Sequence, residues 1–506
     1  MWTRDRLHQF VRDRLPQYRF IAVSNREPYI HMRVGDAIEC MQPASGLATA
    51  LDPIMRASEG TWVAHGSGTA DRDVVDSFDH VRVPSECPAY TLRRVWLPED
   101  IEAGYYYGLA NEGLWPLCHI AFHRPRFNEK NWECYRRANE IFAEAVLEET
   151  AGEPAFVFVQ DYHFALLPRM LKERNPNLII AQFWHIPWPN REAFRVFPWR
   201  EELLDGMLGN DLLGFHLPYH CSNFLDTADR QIEALVDQEH GTIRRGGHVT
   251  KVKAFPISID FDEHSETAAS PAVDVEQLDW YRLLGRAPEL LGIGIDRIDY
   301  TKGIPERLNA IDRLLEDRPE YRQRLVFLQV GVPSRTAVSA YRDLLNSISS
   351  QIESINAKWE TPEWKPIVFV DHHVDQLSLM ALHRLADFCL VTSLHDGMNL
   401  VAKEFVASRV DEDGCLILSS FTGAARELSD ALLINPFAPE EIASAVHRAL
   451  TMDPAERQHR MRRMRQAVSG HNIYRWAGKI VETLSKLHSR APLESAEGNA
   501  LYAAVG

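Results

Sequence analysis

Leu291-Gly292-Ile293-Gly294-Ile295-Asp296-Arg297-Ile298-Asp299-Tyr300-Thr301-Lys302-Gly303 opens as an apolar run, turns into a charged loop and hands over at Ile304 to a helix-forming segment. Such a run has no polar face, so it suits a strand covered on both sides, as in a parallel sheet. Parallel neighbours need a crossover, and residues 304–315 supply a helix for it. Apolar strand candidates recur at 20–24, 61–65, 156–160, 179–184 and 212–216 in the first half. In the second half they recur at 291–295, 325–330, 367–370, 388–392, 416–419 and 431–434. Helix candidates at 132–149, 304–315, 336–355, 377–386 and 439–450 alternate with them. This alternation predicts an α/β protein of doubly wound domains.

At 506 residues the chain is too long for one compact core, so two domains are expected. A polar, Ala- and Ser-containing stretch at 263–273 precedes the fresh strand–loop–helix unit at 290. The expected division is an N-terminal helical extension over 1–17, a first domain over 18–260 and a second over 261–472. A helix over 473–490 should pack back on the first domain, followed by a flexible tail over 491–506. Two such domains facing each other would bring the carboxyl ends of both sheets to one central cleft, where doubly wound folds bind ligands.

Acidic residues outnumber basic ones, 71 to 55, for a formal charge of −16. That balance argues against nucleic acid or an anionic membrane as partner, and means an anionic substrate needs a local basic pocket. The seven cysteines (40, 87, 118, 134, 221, 389 and 415) are scattered, odd in number and without a CxxC pair. They read as reduced core residues, neither a disulfide framework nor a metal site. The first 17 residues lack an apolar signal core and no run reaches membrane-span length, so a cytoplasmic location is expected. Oligomeric state is left open, a homo-oligomer included.

Four groups carry candidate chemistry. Arg297 and Lys302 sit in a strand-to-helix loop, where a guanidinium fork, an ammonium and helix N–H groups suit a diphosphate. Taken alone, they equally suit a surface cluster paired internally. Asp396-Gly397-Met398-Asn399-Leu400 follows strand 388–392 and opens a helix, with Glu404 one turn on, placed to accept ribose hydroxyls. Asp396 also reads as a plain N-cap. Asp161 and His185 follow strands 156–160 and 179–184 and suit sugar hydroxyls, although a histidine beside prolines is more often structural. Arg26 after the first strand, Tyr106 and Trp115 in the aromatic run 105–116, and Arg335 in Val332-Pro333-Ser334-Arg335 form an arginine and aromatic set for a sugar phosphate. The aromatics alone read better as core.

The ordered set Ser24-Asn25-Arg26, Ser45-Gly46-Leu47, Tyr105-Tyr106 with Leu114-Trp115-Pro116, Asp161-Tyr162-His163, His185-Ile186-Pro187-Trp188-Pro189, the 296–303 loop, Val332–Arg335 and 396–404 resembles the trehalose-6-phosphate synthase family of retaining glycosyltransferases, glycosyltransferase family 20. The resemblance spans about 20–488. It implies a GT-B fold of two Rossmann-like domains around a cleft, with no metal or other cofactor. By position it assigns Gly46, Arg297, Lys302, Val374 through its backbone, Asp396, Gly397, Met398, Asn399, Leu400 and Glu404 to a nucleoside-diphosphate glucose, UDP-glucose first. It assigns Arg26, Tyr106, Trp115, Asp161 and Arg335 to glucose 6-phosphate, and gives His185 and Trp115 a part in anomer selection. Asp161, His185, Arg297 and Lys302 would carry the reaction, whose product would be α,α-trehalose 6-phosphate.

Glu27-Pro28-Tyr29 departs toward glucosylglycerol-phosphate synthases, which use glycerol 3-phosphate, whereas Arg335 favours a sugar phosphate. Pseudo-glycosyltransferases acting on cyclitol phosphates share the fold. The donor base stays open among UDP, ADP and GDP. A silent regulatory member would have lost Arg297, Lys302, Asp396 or Glu404, and all four are present. A nucleotide-dependent oxidoreductase would carry GxGxxG in its first βα turn, which is absent.

Overall fold

A computed structural model of the chain describes residues 2–14, 18–42, 46–285 and 287–489. The chain forms two compact units. One takes in the chain up to Cys118, Arg124–Pro256 and the segment from Tyr474 onward; the other takes in His119–His123 and Ile257–Ile473. The 491–506 tail and residues 15–17 of the expected extension lie outside the described residues.

The first unit is built on ten strands among the described residues: β1 (Arg19–Ser24), β4 (Thr61–His65), β5 (His80–Val83), β6 (Tyr90–Val95), β7 (Ala155–Gln160), β8 (Ile179–Phe183), β9 (Leu212–Phe215), β10 (Leu235–Asp237), β11 (Thr242–Arg245) and β12 (His248–Ala254). Strands β2 (Ile30–Val34) and β3 (Ala37–Met41) form a separate antiparallel hairpin. The order is β10-β11-β12-β9-β8-β7-β1-β4-β6-β5. The strands from β12 through β6 in this order pair in parallel, and β5, β11 and β10 add antiparallel edges. Strands β7, β8 and β9 are buried at every residue, which is why an unbroken apolar run encodes them. The order reverses at β1: β4 lies on one side of it and β7 on the other. This topological switch point puts Asn25 and Arg26, beyond β1, beside Asp161, beyond β7.

The second unit holds β13 (Leu290–Arg297), β14 (Leu325–Val332), β15 (Ile367–Val370), β16 (Phe388–Val391), β17 (Cys415–Ser419) and β18 (Leu432–Ile434), all parallel, in the order β15-β14-β13-β16-β17-β18. Its core joins Phe327, Phe388, Leu390 and Ile417 of the sheet with Leu308, Ile311, Ile348 and Val446 of the covering helices, all fully buried. Here the switch point lies between β13 and β16, so Arg297 and Ser393–Asp396 emerge side by side.

The sequence divides between the units at Pro256/Ile257, earlier than the expected 260/261. The reason is that the extended segment after β12 already belongs to the second unit, where Ile259 O accepts Ile473 N–H at 3.0 Å. The helix Ile473–Ser489 lays Trp476 against Phe158 and Phe183 of the first sheet, at 5.9 and 5.1 Å. The helix Arg4–Arg14 buries Leu7 and Val11, and its Arg4 reaches the Tyr474 hydroxyl at 3.3 Å.

Candidate active site

In the second unit, β13 carries its last buried residue, Asp296, to the sheet edge and leads into the loop that holds the half-buried Arg297 and Lys302. Asp299 caps the single turn Tyr300–Lys302, and Gly303 ends it at φ +63° before the helix Ile304–Asp317. A Cβ on Gly303 would lie 2.2 Å from the Thr392 carbonyl oxygen, so only glycine allows the loop to pass β16 this closely.

Three carboxylates and four cations interleave here. Lys302 Nζ donates to Asp396 Oδ2 at 2.6 Å. Arg307, fully buried, donates to Asp296 Oδ2 at 2.7 Å, to Gln329 Oε1 at 2.9 Å and to Thr392 Oγ1 at 3.1 Å. Asp299 accepts from the Thr301 amide and hydroxyl through one oxygen and from Arg335 Nη1 at 3.2 Å through the other. Burial would raise the Asp299 carboxyl, but Arg335, then Arg297 and Lys302, outweigh it and hold it below its ordinary value. Burial opposes ionisation of Asp396 too, yet Lys302 keeps it well below the carboxylate range. Lys302 in turn is raised against burial by Asp396, then Asp296. With Asp296, Asp299 and Asp396 against Arg297, Lys302, Arg307 and Arg335, the cluster carries one positive charge in excess in a partly desolvated setting, suited to an anion.

Asp396 is not the helix cap. The helix is Leu400–Ser408, and Asn399, at φ +84°, caps it by accepting the Ala402 amide at 3.0 Å. The carboxylate of Asp396 is instead taken by Lys302 and by the Asn399 amide at 3.2 Å, because a residue four positions ahead of the first helical turn cannot reach its N–H groups. Gly397 and Met398 form the turn between them. Glu404, one turn into the helix, has no side-chain hydrogen-bond partner, and burial alone raises it to about 7. Val374 lies at the same sheet edge, after β15 and just before the helix cap Asp375.

Arg335 belongs to this unit. Its side chain is only 5% exposed, and Nη1 also meets the Tyr341 hydroxyl at 2.7 Å. Of the expected acceptor set it is the one residue that shares a carboxylate with the Arg297/Lys302 loop.

The first unit assembles the rest. Arg26 Nη2 lies 3.5 Å from the Tyr106 hydroxyl. Asp161 sits at φ +70°, ψ 178°, a strained backbone for a residue with a Cβ, and its Oδ1 accepts the His185 amide at 3.0 Å. His185 Nε2 meets Gln160 Oε1 at 2.9 Å. Gln160 turns its own amide to the Phe158 carbonyl, so Nε2 carries the proton and Nδ1 keeps a lone pair. Burial pushes the His185 pKa down to about 3, so the ring is neutral at physiological pH. Trp115 is buried with its ring 5.9 Å from that of Tyr162. Gly46 opens the helix Gly46–Ser58 in this unit, while Ser45 lies outside the described residues.

Glu27 turns inward. It is 1% exposed and accepts from the fully buried Arg94 at 2.9 Å and from the Ser67 amide at 2.8 Å. The Glu27-Pro28-Tyr29 departure is thus core architecture: Arg94 also holds Asp71 at 2.8 Å and the Tyr29 carbonyl at 3.1 Å. Residues that sequence reasoning did not single out include Arg307, Tyr341, Gln160, Asn111 and the His119–His123 segment, whose His123 ring stacks on Tyr300 at 4.2 Å. Only the arginine's place in an otherwise amphipathic helix signalled one of them.

The model for glycosyltransferase family 20 matches residues 18–486. The chain belongs to glycosyltransferase family 20. This family 20 chain is 39% identical over 480 residues to a trehalose-6-phosphate synthase of Mycobacterium sp. (strain KMS), covering 93% of this chain and 96% of that one. A trehalose-6-phosphate synthase of Mycolicibacterium vanbaalenii is 39% identical over 483 residues, covering 94% and 97%. Among solved structures, the E. coli protein bound with UDP-2-fluoro glucose superposes with a TM-score of 0.82 at 31% identity, covering 92% of this chain and 99% of that one. A UDP-forming α,α-trehalose-phosphate synthase of Burkholderia xenovorans in complex with glucose-6-phosphate gives 0.82 at 30% identity, with the same coverage. The fold is GT-B, and the chain is a glycosyltransferase. Among the described residues, no group of three or more His, Cys, Asp or Glu is arranged to hold a metal ion, and no helix is long and apolar enough to cross a membrane.

Proposed function

We propose that this chain transfers glucose from UDP-glucose to glucose 6-phosphate with retention, forming α,α-trehalose 6-phosphate and UDP. The observation that carries the reading is the net-cationic cluster at the second switch point, with Lys302 and Arg297 beside a capped helix start and the unpartnered Glu404 one turn on. On this reading Arg297 and Lys302 take the diphosphate, the Asp396–Leu400 turn and the Val374 backbone take the rest of the nucleotide-sugar, and Glu404 accepts the ribose hydroxyls. Gly46 is assigned to the same donor. Arg26, Tyr106, Trp115 and Asp161 in the first unit, and Arg335 in the second, are assigned to the acceptor.

The chemistry follows from charge. As the bond from the anomeric carbon to the diphosphate oxygen breaks, negative charge grows on that oxygen beside Arg297 and Lys302. The acceptor hydroxyl adds to the same face of the anomeric carbon and gives its proton to the departing diphosphate. No carboxylate nucleophile is required, and no metal enters these steps. His185 is too weak a base to take that proton: a ring with a pKa near 3 orients a hydroxyl through its Nδ1 lone pair. The seven cysteines are free, and five are buried as expected of core residues, while Cys40 and Cys87 are exposed.

A matrix of UDP-, ADP- and GDP-glucose against glucose 6-phosphate and glycerol 3-phosphate, read by nucleotide release and product mass, tests the proposal. UDP-glucose with glucose 6-phosphate should lead. Preference for glycerol 3-phosphate, or turnover with neither acceptor, overturns it.

A further inference from the structure

Residues Ala103–Leu114 wind as a π-helix, with Trp115 N–H donating to the Ala110 carbonyl, five residues back. Such windings are rare, occur mostly as single-turn bulges, and concentrate at functional sites. This one runs through twelve residues and carries Tyr106, then delivers Trp115. On one side Gly104 and Gly108 press it onto the helix Glu129–Thr150. A Cβ at Gly104 would lie 2.5 Å from Cys134 Sγ, and one at Gly108 would lie 2.4 Å from Asn131 Nδ2.

At its other side stands Asn111, 1% exposed. Its Nδ2 donates to the Tyr106 carbonyl at 2.7 Å, along the same five-residue step as the backbone rungs. Its Oδ1 accepts the Tyr162 hydroxyl at 2.9 Å. The amide orientation is unambiguous, because a carbonyl oxygen can only be met by the NH2 group, which leaves Oδ1 for the phenol. Tyr162 directly follows the strained Asp161 and packs on Trp115 at 5.9 Å. Tyr105, on the same turn, donates to Asn25 Oδ1 at 3.0 Å, one residue before Arg26. One buried amide thus links the backbone of Tyr106 to the turn of Asp161, and its phenol partner packs on Trp115.

We infer that Asn111 is a positioning residue that, through Tyr162, sets Tyr106, Trp115 and Asp161 in register for a sugar-phosphate acceptor. The inference rests on the acceptor assignment proposed above. Asn111→Ala removes both bonds. Asn111→Asp keeps the acceptor for Tyr162 but cannot donate to the Tyr106 carbonyl. Tyr162→Phe removes one hydroxyl and keeps the ring.

The test is steady-state kinetics with each substrate varied, together with hydrolysis of the donor in the absence of acceptor. Asn111→Ala and Asn111→Asp should raise the acceptor KM by about tenfold or more, as expected for losing one or two buried hydrogen bonds. Donor KM and donor hydrolysis should stay within about twofold. Tyr162→Phe should move the same parameter by less, and the Asn111→Ala/Tyr162→Phe double variant should be no worse than Asn111→Ala alone. Equal shifts in donor and acceptor KM, or fully additive effects, overturn the inference. Should Asn111→Ala fail to fold, Tyr162→Phe, the deletion of a single oxygen, still decides it through the same split. Wild-type enzyme that turns over no sugar phosphate refutes the proposed activity; active variants with an unchanged acceptor KM refute this inference alone.

Discussion

Glu404→Gln should make the protein more stable and a poorer enzyme, and pH should separate the two effects. The Glu404 carboxyl has no hydrogen-bond partner, and burial lifts it from 4.5 to about 7. At about 1.36 kcal/mol per pH unit, ionising it inside the fold costs about 3 kcal/mol. The sign follows from linkage. Below pH 4.5 the group is protonated in the folded and unfolded chain alike, and the cost is absent. Between 4.5 and about 7 the unfolded chain releases the proton while the folded one keeps it, so stability falls as pH rises; above about 7 the whole cost is present. Glutamine has the same shape and no charge. At pH 8 the variant should gain up to about 3 kcal/mol, several degrees in melting of a unit this size. At pH 5 most of that gain should vanish. On the donor assignment proposed above, the ribose hydroxyls would also lose a charged acceptor, which should raise the donor KM about 10- to 100-fold. Scanning calorimetry at the two pH values, alongside donor titrations, reads both. An equal melting shift at pH 5 and pH 8, or an unaltered donor KM, would refute the reasoning.

Lys302→Ala should lower turnover by about 100-fold or more, since it removes one preorganised charge from the leaving diphosphate; near wild-type turnover would sink the donor assignment. Arg335→Ala should raise the acceptor KM far more than the donor KM, and the reverse pattern in the same titrations would move Arg335 out of the acceptor set. Arg94→Leu strands the Asp71 carboxylate and the Glu27 carboxyl in the core, so unfolding in urea should show a loss of about 3–5 kcal/mol; a loss below about 1 kcal/mol would mean the group is not held as a charged network.

The two parallel sheets were legible because β7, β9, β13 and β16 are apolar at nearly every position, which only a strand covered on both faces permits. The edges were not. Residues 242–245, Thr-Ile-Arg-Arg, bury only Ile243, and the hairpin strand Ala37–Met41 is exposed throughout, so neither leaves an apolar run to find. In the candidate site, the loop of Arg297 and Lys302 could be read because an apolar strand points straight at it. The ion pairs around them could not: Lys302 and Asp396 are 94 residues apart and Asp299 and Arg335 are 36 apart, and only the pairing of β13 with β16 and with β14 brings their loops together. Asp396 looked like a cap because it precedes a helical stretch, but Gly397 and Met398 intervene and Asn399 takes the capping role. The π-helix was invisible for a different reason: a five-residue step has no counterpart in the 3.6 and 2.0 periods that sequence patterns reveal.

That winding also acts as a measure of length. From Tyr106 to Trp115 the chain must contain a fixed number of residues, because each adds a fixed rotation about the axis. Deleting one would swing the indole by roughly a quarter of a turn. Changes of chain length, in natural drift or in design, are therefore restricted in these ten residues by the winding itself, over and above what Gly108 and Asn111 each require.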